Sequence, residues 1–226
     1  SLTKELKKIT SVEVNQSGQW LAKQPYFSEI EQERTVNLLS KWMEQELLRS
    51  DFTVKYTEKN ESITVNNLKL NLRIDRIDTT PEGKTFLIDY KTGSINPNAW
   101  FTNRIQDPQL PLYSSHLSPD GIAFAQISNG GFGWYSAYNN KIKSFFLPNA
   151  NLRIPSNIPK INGKQDWESS LNFWKSQIAS LAAEFMQGRL IINPIKKGQT
   201  CRNCGYKMLC RIGENTSKNH GLENEE

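Results

Sequence analysis

The sequence is poor in the residues that most often build metal centres: it has two histidines, His116 and His220, and three cysteines in 226 residues. No apolar run is long enough to cross a membrane as a helix, so a transmembrane segment is not expected. No secretory signal is visible in the stretch that opens Ser1-Leu2-Thr3. The odd cysteine count argues against a disulfide framework and for a reducing, cytoplasmic setting. Acids are absent from Arg189 to Arg211, where Arg189, Lys196, Lys197, Arg202, Lys207 and Arg211 occur. Such a stretch can neutralise phosphates along a nucleic-acid backbone, and it can equally be a solvated tail. The net charge of +5 is compatible with nucleic acid without pointing to it.

What the chain does have is a pair of segments around two carboxylates. Thr85-Phe-Leu-Ile-Asp-Tyr90 is aromatic and β-branched, and Thr92-Gly93 ends it, so it reads as a strand. Residues two apart on a strand share a face, which sets Asp89 and Lys91 on one side and Tyr90 on the other. In the preceding segment Leu68, Leu70, Leu72 and Ile74 alternate onto one face, leaving Arg73, Asp75 and Ile77 on the other. Thr79-Thr-Pro-Glu-Gly83 between them is a turn. The result is a hairpin that can bring Asp75 beside Asp89.

Two carboxylates at that distance repel unless a cation joins them. Mg²⁺ suits such a pair, because it takes one or two carboxylates and keeps several waters. The ion would polarise a phosphoryl oxygen, and Lys91 would orient a water or stabilise charge at phosphorus. The bland alternative is a surface hairpin with an ordinary Asp–Lys ion pair. The apolar strand that runs straight into Asp89 favours the catalytic reading.

At these residues the chain resembles the PD-(D/E)XK nuclease superfamily, in the branch of the RecB and AddB nuclease domains. The resemblance rests on Leu72-Arg-Ile-Asp-Arg-Ile-Asp78, Asp89-Tyr-Lys-Thr-Gly93 and Gln109-Leu-Pro-Leu-Tyr113, and the shared pattern runs from about Glu33 to Cys210. It implies that Asp75 and Asp89 are metal ligands, that the backbone carbonyl of Tyr90 reaches the same Mg²⁺ or Mn²⁺, and that Lys91 is the catalytic lysine. Leu72 stands where the family has glycine. Asp78 reads as structural, paired with Arg76. The family also carries a histidine on a helix before the core and a cysteine upstream of it. Neither is present, which suggests a C-terminal fragment of a longer protein; Glu29, Glu31 and Glu33 are weak substitutes for the histidine.

Asp107-Pro108 reads as a helix start, with Asp at the N-cap and Pro at the first helical position. Gln109 and Tyr113 then share a face, free to reach a backbone, a base or a phosphate, while His116 reads as a rim residue. Trp100, Phe101 and Arg104 precede them; Arg104 is a candidate DNA contact, and the two aromatics read as either base-stackers or a local core lid. Cys201, Cys204 and Cys210 form a C-x2-C-x5-C run of the kind that binds zinc or an iron–sulfur cluster. The resemblance makes them part of a 4Fe–4S staple whose fourth cysteine is missing, so the cluster is expected in a full-length protein and not in this chain.

The expected organisation is an irregular segment over 1–27, a nuclease core over 28–190, a basic cysteine-bearing segment over 191–212 and a disordered tail over 213–226. A capping box at Ser28–Glu31 is expected to open a helix to about Arg49, with Val36, Leu39, Met43 and Leu47 as its apolar stripe. Phe52–Glu58, Gly121–Ile127 and Phe132–Tyr138 read as strands, and 139–165 as a long loop. Asp166–Gly188 is the clearest helix, with Trp167, Leu171, Trp174, Ile178, Leu181 and Phe185 as its stripe. The fold class is α/β, a restriction-endonuclease-like mixed sheet flanked by helices. The expected function is a Mg²⁺-dependent (exo)deoxyribonuclease module for DNA repair or recombination, with DNA as substrate and a helicase or nuclease subunit as partner. The alternative is an inactive DNA-binding scaffold module.

Overall fold

The computed structural model describes residues 2–16, 23–102, 104–128, 130–139, 166–189, 191–202 and 204–212. The chain divides into two compact units, Ser1–Ala179 and Ser180–Glu226. The expected loop over 140–165 and the tail over 213–226 lie outside the described residues.

Five strands form one sheet in the order β1-β2-β3-β4-β5: Thr53–Val65, Leu68–Thr79, Thr85–Lys91, Gly121–Ser128 and Gly131–Tyr138. All neighbouring pairs are antiparallel except β3 and β4, which are parallel and joined through helix α3, Gln109–Leu117. The sheet is therefore mixed and helix-flanked, as the sequence implied. Gly121 is required where β4 begins: a Cβ there would come within 2.5 Å of the Phe86 ring and 2.7 Å of the Tyr138 Cβ.

Each face of the sheet carries its own apolar cluster. One gathers Leu72, Ile74, Ile77, Leu87, Ile122 and Phe124 with Trp100, Leu110, Tyr113, Trp167 and Trp174. The other gathers Phe86, Ile88, Ala123, Ala125 and Trp134 with Trp42. Alternation along β3 thus places Leu87, Asp89 and Lys91 toward the first cluster and Phe86, Ile88 and Tyr90 toward the second. Trp100 and Phe101 are buried, with Trp100 4.6 Å from Phe124 and Phe101 5.3 Å from Trp174 between ring centroids, so they belong to the core rather than to a base-stacking surface.

Several expectations are corrected. Strand β1 continues to Val65 and turns into β2 through Asn66 and Asn67, both at positive φ (47° and 67°), as a two-residue hairpin turn needs. Its second half was hidden because an edge strand keeps polar residues such as Asn60 and Ser62. Leu2–Gln16, expected to be irregular, is helix α1; only Leu6, Thr10 and Val14 bury, a stripe too thin to read as periodic. Helix α2 spans Pro25–Leu47, beginning three residues before the expected capping box, with Pro25 in its first turn. Its buried residues are Val36, Trp42 and Glu46; of the expected stripe Val36 is buried, Leu39 and Met43 are half-buried and Leu47 is exposed. Trp42 offers the larger apolar area, and Glu46 has buried arginine partners.

Helix α4, Trp167–Met186, starts where expected: Asp166 Oδ1 accepts the Ser169 N–H at 2.7 Å. Gly188, at φ 67°, stops it. Trp167, Trp174 and Ile178 bury within the first unit. In the second unit Leu181 and Phe185 are exposed, so the apolar stripe is only partly used. Two one-turn helices follow, α5 at Lys197–Thr200 and α6 at Lys207–Cys210.

Candidate active site

Asp75 occupies a break in β2. Every other residue of that strand has a partner on β1, but the pairing passes from Thr57↔Arg76 to Lys59↔Ile74 and skips Asp75 and Glu58. Glu58 takes the left-handed conformation, φ 50°. The break shifts the alternation, which is why Ile74 and Ile77 both join the first cluster instead of opposite faces as expected. On the other side, the β2–β3 ladder ends at Arg76↔Ile88, and the next step would oppose Asp75 to Asp89. There the side chain replaces the ladder: Asp75 Oδ2 accepts the Tyr90 N–H at 3.0 Å.

Asp89 is 2 % exposed at the end of an apolar strand. Burial pushes its carboxyl above the ordinary aspartate range; Lys91 opposes the shift, and the nearby Asp75 and Asp107 add to it. Lys91 Nζ approaches Asp89 Oδ2 at 2.7 Å, an ion-pair contact without hydrogen-bond alignment, and that buried oxygen has no hydrogen-bond partner. The lysine donates instead to Gln109 Oε1 at 3.1 Å and lies 5.3 Å from the centre of the Phe124 ring.

Helix α3 begins at Gln109, with Pro108 rather than Asp107 at the cap, and its first turns supply the rest of the wall. The Tyr113 hydroxyl donates to the Arg73 carbonyl at 2.8 Å and meets the Gln109 side chain, so it braces β2 beside Asp75 rather than facing a phosphate. Its phenol is raised above the ordinary tyrosine range, chiefly by burial.

Behind the strand lies a buried ionic network. Asp78 receives Arg76 at 2.6 and 2.9 Å and Arg49 at 2.8 Å; Glu46 receives Arg49 at 2.7 Å and Arg76 at 3.0 Å. Two arginines thus balance two carboxylates. Arg76 also donates to the Tyr90 hydroxyl at 2.8 Å. Asp78 is structural, as read from the sequence.

The fold therefore brings together Asp75, Asp89, Tyr90, Lys91, Gln109 and Tyr113. Arg104 is exposed on the loop before α3, where its carbonyl accepts the Thr102 hydroxyl at 2.5 Å. Cys201, Cys204 and Cys210 are free thiols in the second unit. Glu31 is committed to Arg34 at the helix surface. Sequence reasoning missed Gln126, which lies opposite Lys91 on β4, donates to the Gly93 carbonyl at 2.8 Å and accepts the Tyr135 hydroxyl at 3.1 Å. Only the parallel pairing of β3 with β4 reveals it; a glutamine in a strand carries no signal of its own. Phe124, under Lys91, was readable only as a core residue.

The donor set suits a hard divalent cation: Asp89 offers a buried oxygen without a hydrogen-bond partner, and Asp75 a second carboxylate beside it. Among the described residues, no group of three or more His, Cys, Asp or Glu side chains is placed to hold a metal. A cation here would rest on two carboxylates, backbone oxygen and water.

Against known proteins, residues 1–211 match the family model of the PD-(D/E)XK nuclease superfamily. The chain belongs to that superfamily, whose members suggest a metal-dependent nuclease. A search of curated proteins gave no match. Among solved structures, one titled "Crystal structure of SSO0001" is similar at 17% identity and a TM-score of 0.41, over 92% of this chain and 84% of that one.

Proposed function

We propose that this chain is a Mg²⁺- or Mn²⁺-dependent deoxyribonuclease module of the RecB/AddB-like branch, serving DNA repair or recombination. The observation that carries the reading is the pairing of the buried Asp89 Oδ2 with Lys91 Nζ, 2.7 Å away. Asp75, Asp89 and the Tyr90 carbonyl would hold the ion, which when bound supplies Lewis acidity to a phosphoryl oxygen. Lys91, held by Gln109 Oε1 and Asp89, would orient the attacking water or meet the charge that develops at phosphorus. Phe124 lies under the lysine, its ring centre 5.3 Å from Nζ. Arg104 and the exposed bases Arg189, Lys196, Arg202 and Lys207 serve the DNA backbone. A helicase or nuclease subunit is the proposed partner. The free thiols agree with a cytoplasmic setting.

The test is cleavage of single- and double-stranded DNA by the purified chain with Mg²⁺, with Mn²⁺ and with EDTA. Cleavage is expected with metal and lost in Asp89→Ala and Lys91→Ala; undiminished cleavage in both variants sinks the reading. A second reading, a DNA-binding module that does not cleave, is favoured by the absence, among the described residues, of a group of three or more His, Cys, Asp or Glu side chains placed to hold a metal. Retained DNA binding with no calorimetric signal for Mn²⁺ would select it.

A further inference from the structure

Residue 90 is gripped from two sides. Its N–H is bonded to the Asp75 carboxylate at 3.0 Å, and its hydroxyl is bonded to the Arg76 guanidinium at 2.8 Å. Asp75 and Arg76 are consecutive in β2, so one dipeptide holds Tyr90 by its backbone and by the tip of its side chain. Arg76 has little freedom to move: Asp78 takes it in a fork, Glu46 takes its third nitrogen, and Arg49 ties both acids together. Helix α2 supplies Glu46, and its Trp42 meets the Tyr90 ring edge-on, with centroids 6.2 Å apart.

We propose that Tyr90 is a positioning residue: its hydroxyl, anchored by Arg76 to the buried Glu46–Arg49–Asp78 network, fixes the backbone of β3 between Asp89 and Lys91. This rests on the nuclease reading, and it adds a residue that the resemblance assigns only through its carbonyl. The physical need is plain in the ladder. Backbone pairing with β2 stops at Arg76↔Ile88, one residue short of Asp89. Past that point β3 keeps its ladder with β4 as far as Lys91↔Gln126, but toward β2 its backbone is bonded through the Asp75 side chain, a carboxylate that would also bind the cation. The phenol supplies a second anchor from the opposite face, through a charge-assisted hydrogen bond in a partly buried setting. The network also accounts for buried charge that the reaction does not use: Asp78 and Arg49 have fully buried side chains and touch neither Asp89 nor Lys91 among their ion pairs.

The deciding variant is Tyr90→Phe, which removes one oxygen and leaves the ring against Trp42. Arg76→Met would leave Arg49 as the arginine partner of two buried acids, Asp78 and Glu46, and can fail to fold, so it is not the variant to read. Two readouts apply to the full chain once its thermal unfolding is shown to be cooperative. By NMR, the residue-90 amide should exchange with deuterium about tenfold faster than in wild type, while the amides of Leu87 and Ile88 keep their rates. In DNA cleavage with Mn²⁺, kcat should fall about tenfold with KM unchanged, the pattern of a lost transition-state alignment. Unchanged exchange at residue 90 overturns the proposal, and so does an unchanged kcat in an active protein. If wild type cleaves no DNA, the nuclease reading fails separately and the amide exchange still decides the anchor.

Discussion

Lys91 Nζ lies 2.7 Å from Asp89 Oδ2, yet the two are misaligned for a hydrogen bond, and the lysine donates to Gln109 instead. The pair is thus an incomplete arrangement, with a buried anionic oxygen left over.

Asp89 is held above the ordinary aspartate range, chiefly by burial. A carboxyl whose folded pKa is raised binds its proton more tightly in the folded state. Its effect on stability is therefore nil well below the unfolded pKa and becomes a full penalty once pH has risen through the folded pKa. At neutral pH without metal, Asp89→Asn should raise Tm by roughly 2–4 °C while abolishing cleavage. The variant and wild type should converge on acidification. Thermal melts across pH check this, and a lower Tm for Asp89→Asn at neutral pH would contradict it.

Divalent metal should stabilise the protein through the same oxygen. Millimolar Mn²⁺ is expected to raise the wild-type Tm and to leave Asp89→Ala unmoved, because only the former offers the buried carboxylate. Calorimetric titration gives the matching affinity.

Gln109 accepts a hydrogen bond from Lys91, and on the proposed nuclease reading it acts through that lysine, so its loss should cost less than loss of the lysine. Gln109→Ala is expected to lower kcat about tenfold, against about a thousandfold or more for Lys91→Ala. Steady-state cleavage assays rank the two.

Asp78 should behave as a structural residue. Asp78→Ala leaves two buried arginines, Arg49 and Arg76, to the Glu46 carboxylate, and breaking a buried pair in this way costs about 3–5 kcal/mol. Urea unfolding should show the loss. A stability change under about 1 kcal/mol would mean that water reaches the network.

Gly121→Ala should also destabilise the fold, because the added Cβ meets the Phe86 ring and the Tyr138 Cβ in a packed strand. The same unfolding assay applies, with wild-type stability as the contrary result.

Much of the site was legible because strands write their faces in alternate residues. Asp89, Tyr90 and Lys91 fall on the sides that period two assigns, and the turn at Pro81 and Gly83 fixes the hairpin register. What alternation could not show is the break at Asp75 and Glu58, since a skipped pair changes parity without changing composition. The burial of Glu46 and Arg49 was equally hidden. A charged residue reads as solvated until its partners from other elements are known, and these come from β2, about thirty residues away.

By itself the sequence determined the strand pair, the identity of the two carboxylates and the lysine, the helix that carries Gln109 and Tyr113, and the superfamily. Each rests on a local period or a short spacing. The tertiary structure decided the rest: that Asp75 bonds the Tyr90 amide, that Gln109 holds Lys91, that Gln126 secures the chain at Gly93, and that two arginines and two acids form a buried network behind β3. Those contacts join residues distant in sequence. Their geometry exists only once the sheet has set β2, β3 and β4 side by side and packed a helix against each face.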